Sequence, residues 1–247
     1  MGILNTTPDS FADGGENFTY PDAVNHGLTL INEGADIVDV GGESTRPGAE
    51  RVSAFEEERR VINVITKLAD AGKPISVDTM RASTARAAVI AGASIINDVS
   101  GGLADDEMLE TAAELGVPYI AMHWRGHSKG MSEQAEYKDV VNEVIFELNK
   151  RITSALSAGI AKNNLIIDPG IGFAKESADN WAIIDNIEKF VALGYPVLVG
   201  ASRKRFLGGE NPSERESATI ELTQRLSQSG IWAVRVHGVA ANKAVLK

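Results

Sequence analysis

The chain has 247 residues, 43% of them hydrophobic, a formal net charge of −10 and no cysteine. The length suits one or two ordinary domains, or a single α/β barrel of about 250 residues. The acidic balance argues against a nucleic-acid partner, and the missing cysteines exclude disulfides, thiolate metal sites and a cysteine nucleophile.

No apolar run approaches the roughly 20 residues of a membrane span, and no signal-type leader opens the chain. A soluble, cytoplasmic protein with no membrane partner is expected.

Residues 1–4 form a very short apolar strand running into Asn5-Thr6-Thr7-Pro8-Asp9-Ser10-Phe11, and Asp13-Gly14-Gly15 marks a long loop. Pro21 suits the first turn of a helix over 22–33, stopped by Gly34. Residues 36–40 are apolar and β-branched apart from two aspartates, and lead into the loop Gly41-Gly42-Glu43-Ser44-Thr45-Arg46-Pro47-Gly48. A helix follows over 54–71, with Phe55, Val61, Ile62, Val64, Ile65 and Leu68 on its apolar face.

Residues 75–102 read as strand, helix, strand: 75–77, an Ala-rich helix over 82–92, then 94–96. Two apolar strands joined by one helix make a right-handed crossover in a parallel sheet. The first ends on Asp78 and the second on Asn97-Asp98. Helix 106–115 and strand 118–122 follow, the strand ending at His123. Residues 126–133 are polar and glycine-containing, and read as a mobile stretch.

A longer helix is predicted over 137–158 and a strand over 165–167, ending in Asp168-Pro169-Gly170. One helix covers 178–193. Strand 196–199 runs into Ser202-Arg203-Lys204-Arg205. Ser213 and Glu216 have capping-box spacing and start a helix to 229. Strand 231–236 ends at His237, and 239–247 can form a short last helix. Eight strands, each followed by a helix, with no linker, predict a single (β/α)8 barrel over residues 1–247. Neither a P-loop nor GxGxxG after a strand is present, which weakens nucleotide-fold readings.

Ligands in such a barrel sit beyond the carboxyl ends of the strands. Those ends carry Asn5, the 41–46 loop, Asp78, Asn97, His123, Asp168, Lys204, Arg235 and His237. One Asp or Asn there is ordinarily a turn residue or cap; eight strand ends in phase are much harder to explain that way. Asp78, Asn97 and Asp168 form a set rich in acceptors, suited to a flat heterocycle with amino and ring N–H donors. A charge-assisted bond there is worth about 1.5–3 kcal/mol. Ser202 to Arg205, with Arg235 and His237, bring positive charge to the loops after strands seven and eight, which commonly bind phosphate in this fold. Arg235 and His237 flank Val236, so they share a strand face, and Arg46 could reach the same region.

The segments MGILNTTPDSFADGG, DIVDVGGESTRPGA, ISVDTMR, IINDVSGG, MHWRG, IIDPGIGFAK, LVGASRKRFLG and VRVH resemble, in order and over nearly the whole chain, the dihydropteroate synthase family. That resemblance implies a transferase of folate biosynthesis. It joins 6-hydroxymethyl-7,8-dihydropterin diphosphate to 4-aminobenzoate, giving 7,8-dihydropteroate and pyrophosphate, and is a sulfonamide target.

The resemblance assigns Asp78, Asn97, Asp168 and Lys204 to the pterin edge, and Met122 and Phe173 to the apolar neighbours of the ring and second substrate. Arg235 stacks over the pterin and helps hold diphosphate; His237 and Asn5 resemble the anion and magnesium contacts. Thr45, Arg46, Ser202 and Arg203 meet or shape the aminobenzoate pocket. Catalysis falls to Lys204, Arg235 and His237, with Mg2+ as cofactor and a homodimer as the working form. Loops one and two are expected to close over the site and exclude water.

Some positions depart from the family pattern. The chain starts at the first strand, so a less covered barrel floor is expected, and the tail is short. Thr6 replaces an aliphatic residue, and Gly238 stands where Asp is frequent. Two other readings share part of the pattern. One is a pterin-binding methyltransferase with a corrinoid partner, which has no need for the cationic groups that handle diphosphate. The other is a non-catalytic pterin-binding paralogue, against which Asn5, Lys204, Arg235 and His237 argue.

Overall fold

Side chains of a strand alternate between two faces, so a closed parallel barrel has one face toward its axis and one toward a surrounding ring of helices. The computed structural model follows that division, and describes residues 1–7, 20–44, 51–127 and 134–246. The strands are β1 (Gly2–Asn5), β2 (Val38–Gly41), β3 (Ile75–Asp78), β4 (Ile95–Asp98), β5 (Tyr119–Met122), β6 (Leu165–Asp168), β7 (Leu198–Val199) and β8 (Ala233–Val234). The helices are α1 (Tyr20–Asn32), α2 (Ala54–Ala69), α3 (Ala82–Ile90), α4 (Met108–Leu115), α5 (Val140–Ser157), α6 (Ser177–Asp185), α7 (Ile187–Val191), α8 (Glu216–Leu226) and α9 (Val239–Val245).

Strands β1 to β6 form one parallel sheet in sequence order, and β7 pairs with β8. Two single parallel bridges, Ile167 to Val197 and Gly2 to Val236, join the two sheets into a ring. The fold is the expected (β/α)8 barrel. Met1, Ile37, Ile95, Ile120, Ile166 and Leu198 fill the axis at the lower end. The alternate residues, such as Val38, Val40, Ile75, Val77, Ile96, Tyr119, Leu165 and Ile167, pack outward against the helices.

Most boundaries fall within two or three residues of expectation, and two local features differ. The helix predicted over 178–193 is broken at Asn186, where α6 ends and α7 begins; its backbone leaves helical geometry at φ −122°, ψ 26°. Ser213 does not cap α8. It lies in a 3-10 turn, Pro212–Arg215, and α8 starts only at Glu216 with no side-chain cap. The glutamate needed for the capping box is engaged elsewhere, by Arg203 Nε at 2.5 Å and Asn242 Nδ2 at 3.2 Å.

The two unusual positions have local explanations. The Thr6 hydroxyl, fully buried, donates to the Gly41 carbonyl at 3.0 Å. A Cβ at position 238 would lie 2.3 Å from Glu216 Oε1, so the space beside His237 is already taken by that carboxylate.

Candidate active site

Applied to the upper half of the axis, the same alternation predicts which groups meet. Two residues above the apolar layer, Ile37 gives way to Asp39, Ile95 to Asn97, Ile120 to Met122 and Ile166 to Asp168. Ala233 gives way to Arg235. These side chains converge. Arg235 Nε donates to Asp39 Oδ2 at 2.6 Å, and its Nη2 to Asp78 Oδ2 at 2.7 Å. Asn97 Nδ2 donates to the same Asp39 Oδ2 at 3.1 Å. Gly200 lies beside this group: a Cβ there would sit 3.9 Å from both Asp168 Oδ2 and Arg235 Cβ, in ordinary contact.

Asp168 is fixed from below by its own turn. Its Oδ1 accepts the Gly170 N–H at 2.7 Å, and its carbonyl accepts the His123 N–H at 2.9 Å. Burial pushes its carboxyl above the ordinary range, with the Gly170 bond and Lys204 acting against that. The Lys204 ammonium donates to the Ile171 carbonyl and stands 4.5 Å from the centre of the Phe173 ring. Burial pushes it down to about 8, with Asp168 holding it up. Burial also raises Asp78, against the pull of Arg235. For Arg235, burial would lower the guanidinium, but Asp39 and Asp78 outweigh it.

One wall of the mouth is apolar. Met80, Val99 and Met122 are buried together, with Trp124 and Phe173 packed against them. The site thus offers carboxylate and amide acceptors, two cations and a hydrophobic face. A planar, polar-edged ring satisfies all three.

Other expected residues fall differently. Asn5 ends β1, half-buried and in register with Gly41. Ser202 Oγ lies 3.0 Å from His237 Nδ1 and accepts the His237 N–H at 3.2 Å. Arg203 has φ +58° and its guanidinium pairs with Glu216. Thr45, Arg46 and residues 8–19 and 45–50 of the two loops expected to close lie outside the described residues, as does most of the 126–133 stretch. His123 does not join the mouth: its ring meets Glu147 of α5 and Lys175.

Sequence reading missed Asp39, which is fully buried and receives both Asn97 and Arg235. Its signal was present, a carboxylate between Val38 and Val40 with the phase of Asp78 and Asn97. Met80 and Val99, each two residues past a strand-end acceptor, were legible by the same count. Lys175 and Arg215 gave no periodic signal; Arg215 threads the 203–210 loop, donating to four of its carbonyls.

Among the described residues no cluster of three or more His, Asp or Glu side chains could hold a metal. Magnesium, however, usually keeps several waters and substrate phosphates and takes only one or two protein oxygens. The Asn5 amide at the strand end fits that limited role.

The pterin-binding enzyme model matches residues 1–237. The chain is 47% identical over 257 residues to dihydropteroate synthase of Mycobacterium leprae, covering 100% of this chain and 90% of that one. It superposes on Xanthomonas albilineans dihydropteroate synthase with 4-aminobenzoic acid at a TM-score of 0.93, with 46% identity, over 100% and 89% of the two chains. For the Yersinia pestis dihydropteroate synthase sulfonamide complex the TM-score is 0.94, at 36% identity over 100% and 90%. With full-length identity of this order, a closed barrel and polar groups gathered at its carboxyl-terminal mouth, the chain belongs to the dihydropteroate synthase family of pterin-binding enzymes.

Proposed function

We propose that the barrel mouth joins 6-hydroxymethyl-7,8-dihydropterin diphosphate to 4-aminobenzoate, releasing pyrophosphate, with the residues of this chain in the following roles. The observation that carries this reading is the meeting of Asp39, Asp78, Asn97 and Arg235 through three hydrogen bonds at the mouth, beside Asp168 and Lys204. The whole chain acts as one pterin-binding domain, in the cytoplasm, as a homodimer.

Asp78, Asn97 and Asp168 take the amino and ring N–H donors of the pterin, and Lys204 donates to its ring acceptors. The Met80–Val99–Met122 wall covers one face of the ring. Arg235 and His237 lie toward the diphosphate. Asn5 is the protein oxygen available to magnesium, which when bound neutralises charge on the diphosphate.

The bond between the exocyclic methylene carbon and the diphosphate oxygen breaks, and its electron pair leaves with the diphosphate. The electron-rich dihydropterin carries the resulting positive charge. The aminobenzoate nitrogen donates its lone pair to that carbon, forming the C–N bond, and then loses a proton. An aromatic amine is nucleophilic at neutral pH, so no strong general base is required. The work left to the protein is orientation and stabilisation of charge.

A pyrophosphate-release assay with both substrates and magnesium, each omitted in turn, tests the reading. Release should require all three, and a sulfonamide should compete with 4-aminobenzoate. Release that requires a corrinoid, or pterin binding with no release, would replace the reading.

A further inference from the structure

The β6–α6 turn is held by a lysine that no step above uses. Lys175 Nζ donates to the Gly170 carbonyl at 3.0 Å and the Phe173 carbonyl at 3.0 Å, and meets His123 Nδ1 at 2.9 Å. On the far side of that imidazole, Nε2 lies 2.8 Å from Glu147 Oε2. The Glu147 carboxylate can only accept, so Nε2 carries the proton donated to it and Nδ1 of the neutral ring accepts from Lys175. The orientation of the ring and the direction of the chain are thereby fixed, from α5 through the end of β5 to the turn.

The turn is one that needs holding. Gly170 and Gly172 have φ +69° and +77°, and Ala174 has φ +46° without being glycine. Such backbone persists when its surroundings over-determine it. Ties here are Lys175 from within, Asn180, whose Oδ1 accepts the Gly172 N–H at 2.6 Å, and Tyr137, whose hydroxyl donates to the Ala174 carbonyl at 2.9 Å. There is little slack. A Cβ at Gly170 would meet the His123 carbonyl at 2.4 Å, and one at Gly172 the Lys204 Cδ at 2.6 Å. What the turn presents to the mouth is the Ile171 carbonyl, which accepts from Lys204, and the Phe173 ring beside it.

We propose that Lys175 is a positioning residue for the second-substrate pocket: by clamping residues 170–174 through the Gly170 and Phe173 carbonyls it sets where the Phe173 ring stands relative to the incoming aromatic amine. Lys175 touches neither substrate. Burying a cation is costly unless its donors are satisfied, and here they are spent on a turn that carries Phe173, meets Lys204 at the Ile171 carbonyl and holds Asp168 through the Gly170 N–H. The inference rests on the reaction proposed above.

The test is the same release assay with Lys175→Met and Tyr137→Phe, together with calorimetric binding of the pterin diphosphate. Lys175→Met should raise the KM for 4-aminobenzoate at least tenfold more than it changes the pterin dissociation constant. Tyr137→Phe, which removes the tie at the Ala174 carbonyl, should raise the same KM about threefold. Should Lys175→Met fail to fold, the Tyr137→Phe result alone decides. Parallel losses of both substrates, or an unchanged KM in either folded variant, overturn the proposal. Failure of the underlying reaction would show separately, as wild-type protein that releases no pyrophosphate.

Discussion

Arg235 and Asp39 stand 196 residues apart in the chain, yet Nε of one donates to Oδ2 of the other at 2.6 Å across the barrel axis. The same carboxylate oxygen receives Asn97, so one buried aspartate aligns a cation from β8 and an amide from β4. Asp39→Asn should keep the volume and lose the charge. We expect a stability loss of about 1–3 kcal/mol from the denaturation midpoint and a fall in kcat/KM of roughly tenfold or more. Unchanged kinetics would mean Asp78 alone can hold the guanidinium.

Lys204→Ala and Arg235→Ala should each lower turnover by at least about a hundredfold while circular dichroism stays native. Burial holds the Lys204 ammonium at about 8, so its charge is present below that value and lost above it. Accordingly, kcat/KM of the wild type should decline as pH rises through about 8, and Lys204→Arg should shift that decline upward. A pH profile flat to 10 removes Lys204 from its assigned role.

Acid stability should report the His123 chain. Burial, with the neighbouring Lys175 and Arg125, pushes His123 down to about 4, and its bond to Glu147 opposes this. A group depressed by folding favours the unfolded state as it protonates there. Stability is therefore full above about 6.5 and lost as pH falls toward 4, by at most about 1.4 kcal/mol per unit. Glu147, held near 2 by His123 and Arg125, adds its own loss below about 4.5. Lys175, pushed down by burial to about 7, titrates just above this window. Urea midpoints from pH 7 to 4.5 should fall more steeply in wild type than in His123→Gln; equal slopes would contradict the neutral imidazole.

Gly172→Ala places a methyl against the Lys204 stem in a backbone conformation that alanine resists. Turnover should fall about tenfold or more, with Asp168-dependent pterin binding less affected. A variant with wild-type kcat would show that Lys204 can move aside freely.

The fold was readable because every strand is a short apolar run and glycine closes most helices. Strand-end groups were readable because period 2 puts Asp78, Asn97, Asp168 and Arg235 on one face. What escaped depended on tertiary partners. Asp39 reads as an interruption of an apolar run until the lower axial layer is seen. Lys175 and Arg215 act through backbone carbonyls of loops, which leave no pattern in side-chain order. The break at Asn186 and the failed cap at Ser213 show the reverse case. Local chemistry suggested an arrangement there, and Glu216 found stronger partners in Arg203 and Asn242.

The ring of strands is stitched unevenly, and that has a mechanical meaning. From β1 to β6 the ladder is continuous, whereas the β7–β8 ribbon closes the ring over short stretches, by Ile167 N–H to the Pro196 carbonyl on one side and by Val236 N–H to the Met1 carbonyl and Ile3 N–H to the Val236 carbonyl on the other. Asp39, Asp78, Asn97 and Asp168 belong to the long arc, while Lys204 and Arg235 follow the short one, Arg235 reaching back to Asp39 and Asp78. The Arg235 bridge therefore fastens the seam of the ring as well as lining its mouth, and a variant without that guanidinium should show faster amide exchange along β7 and β8 than along β3 and β4.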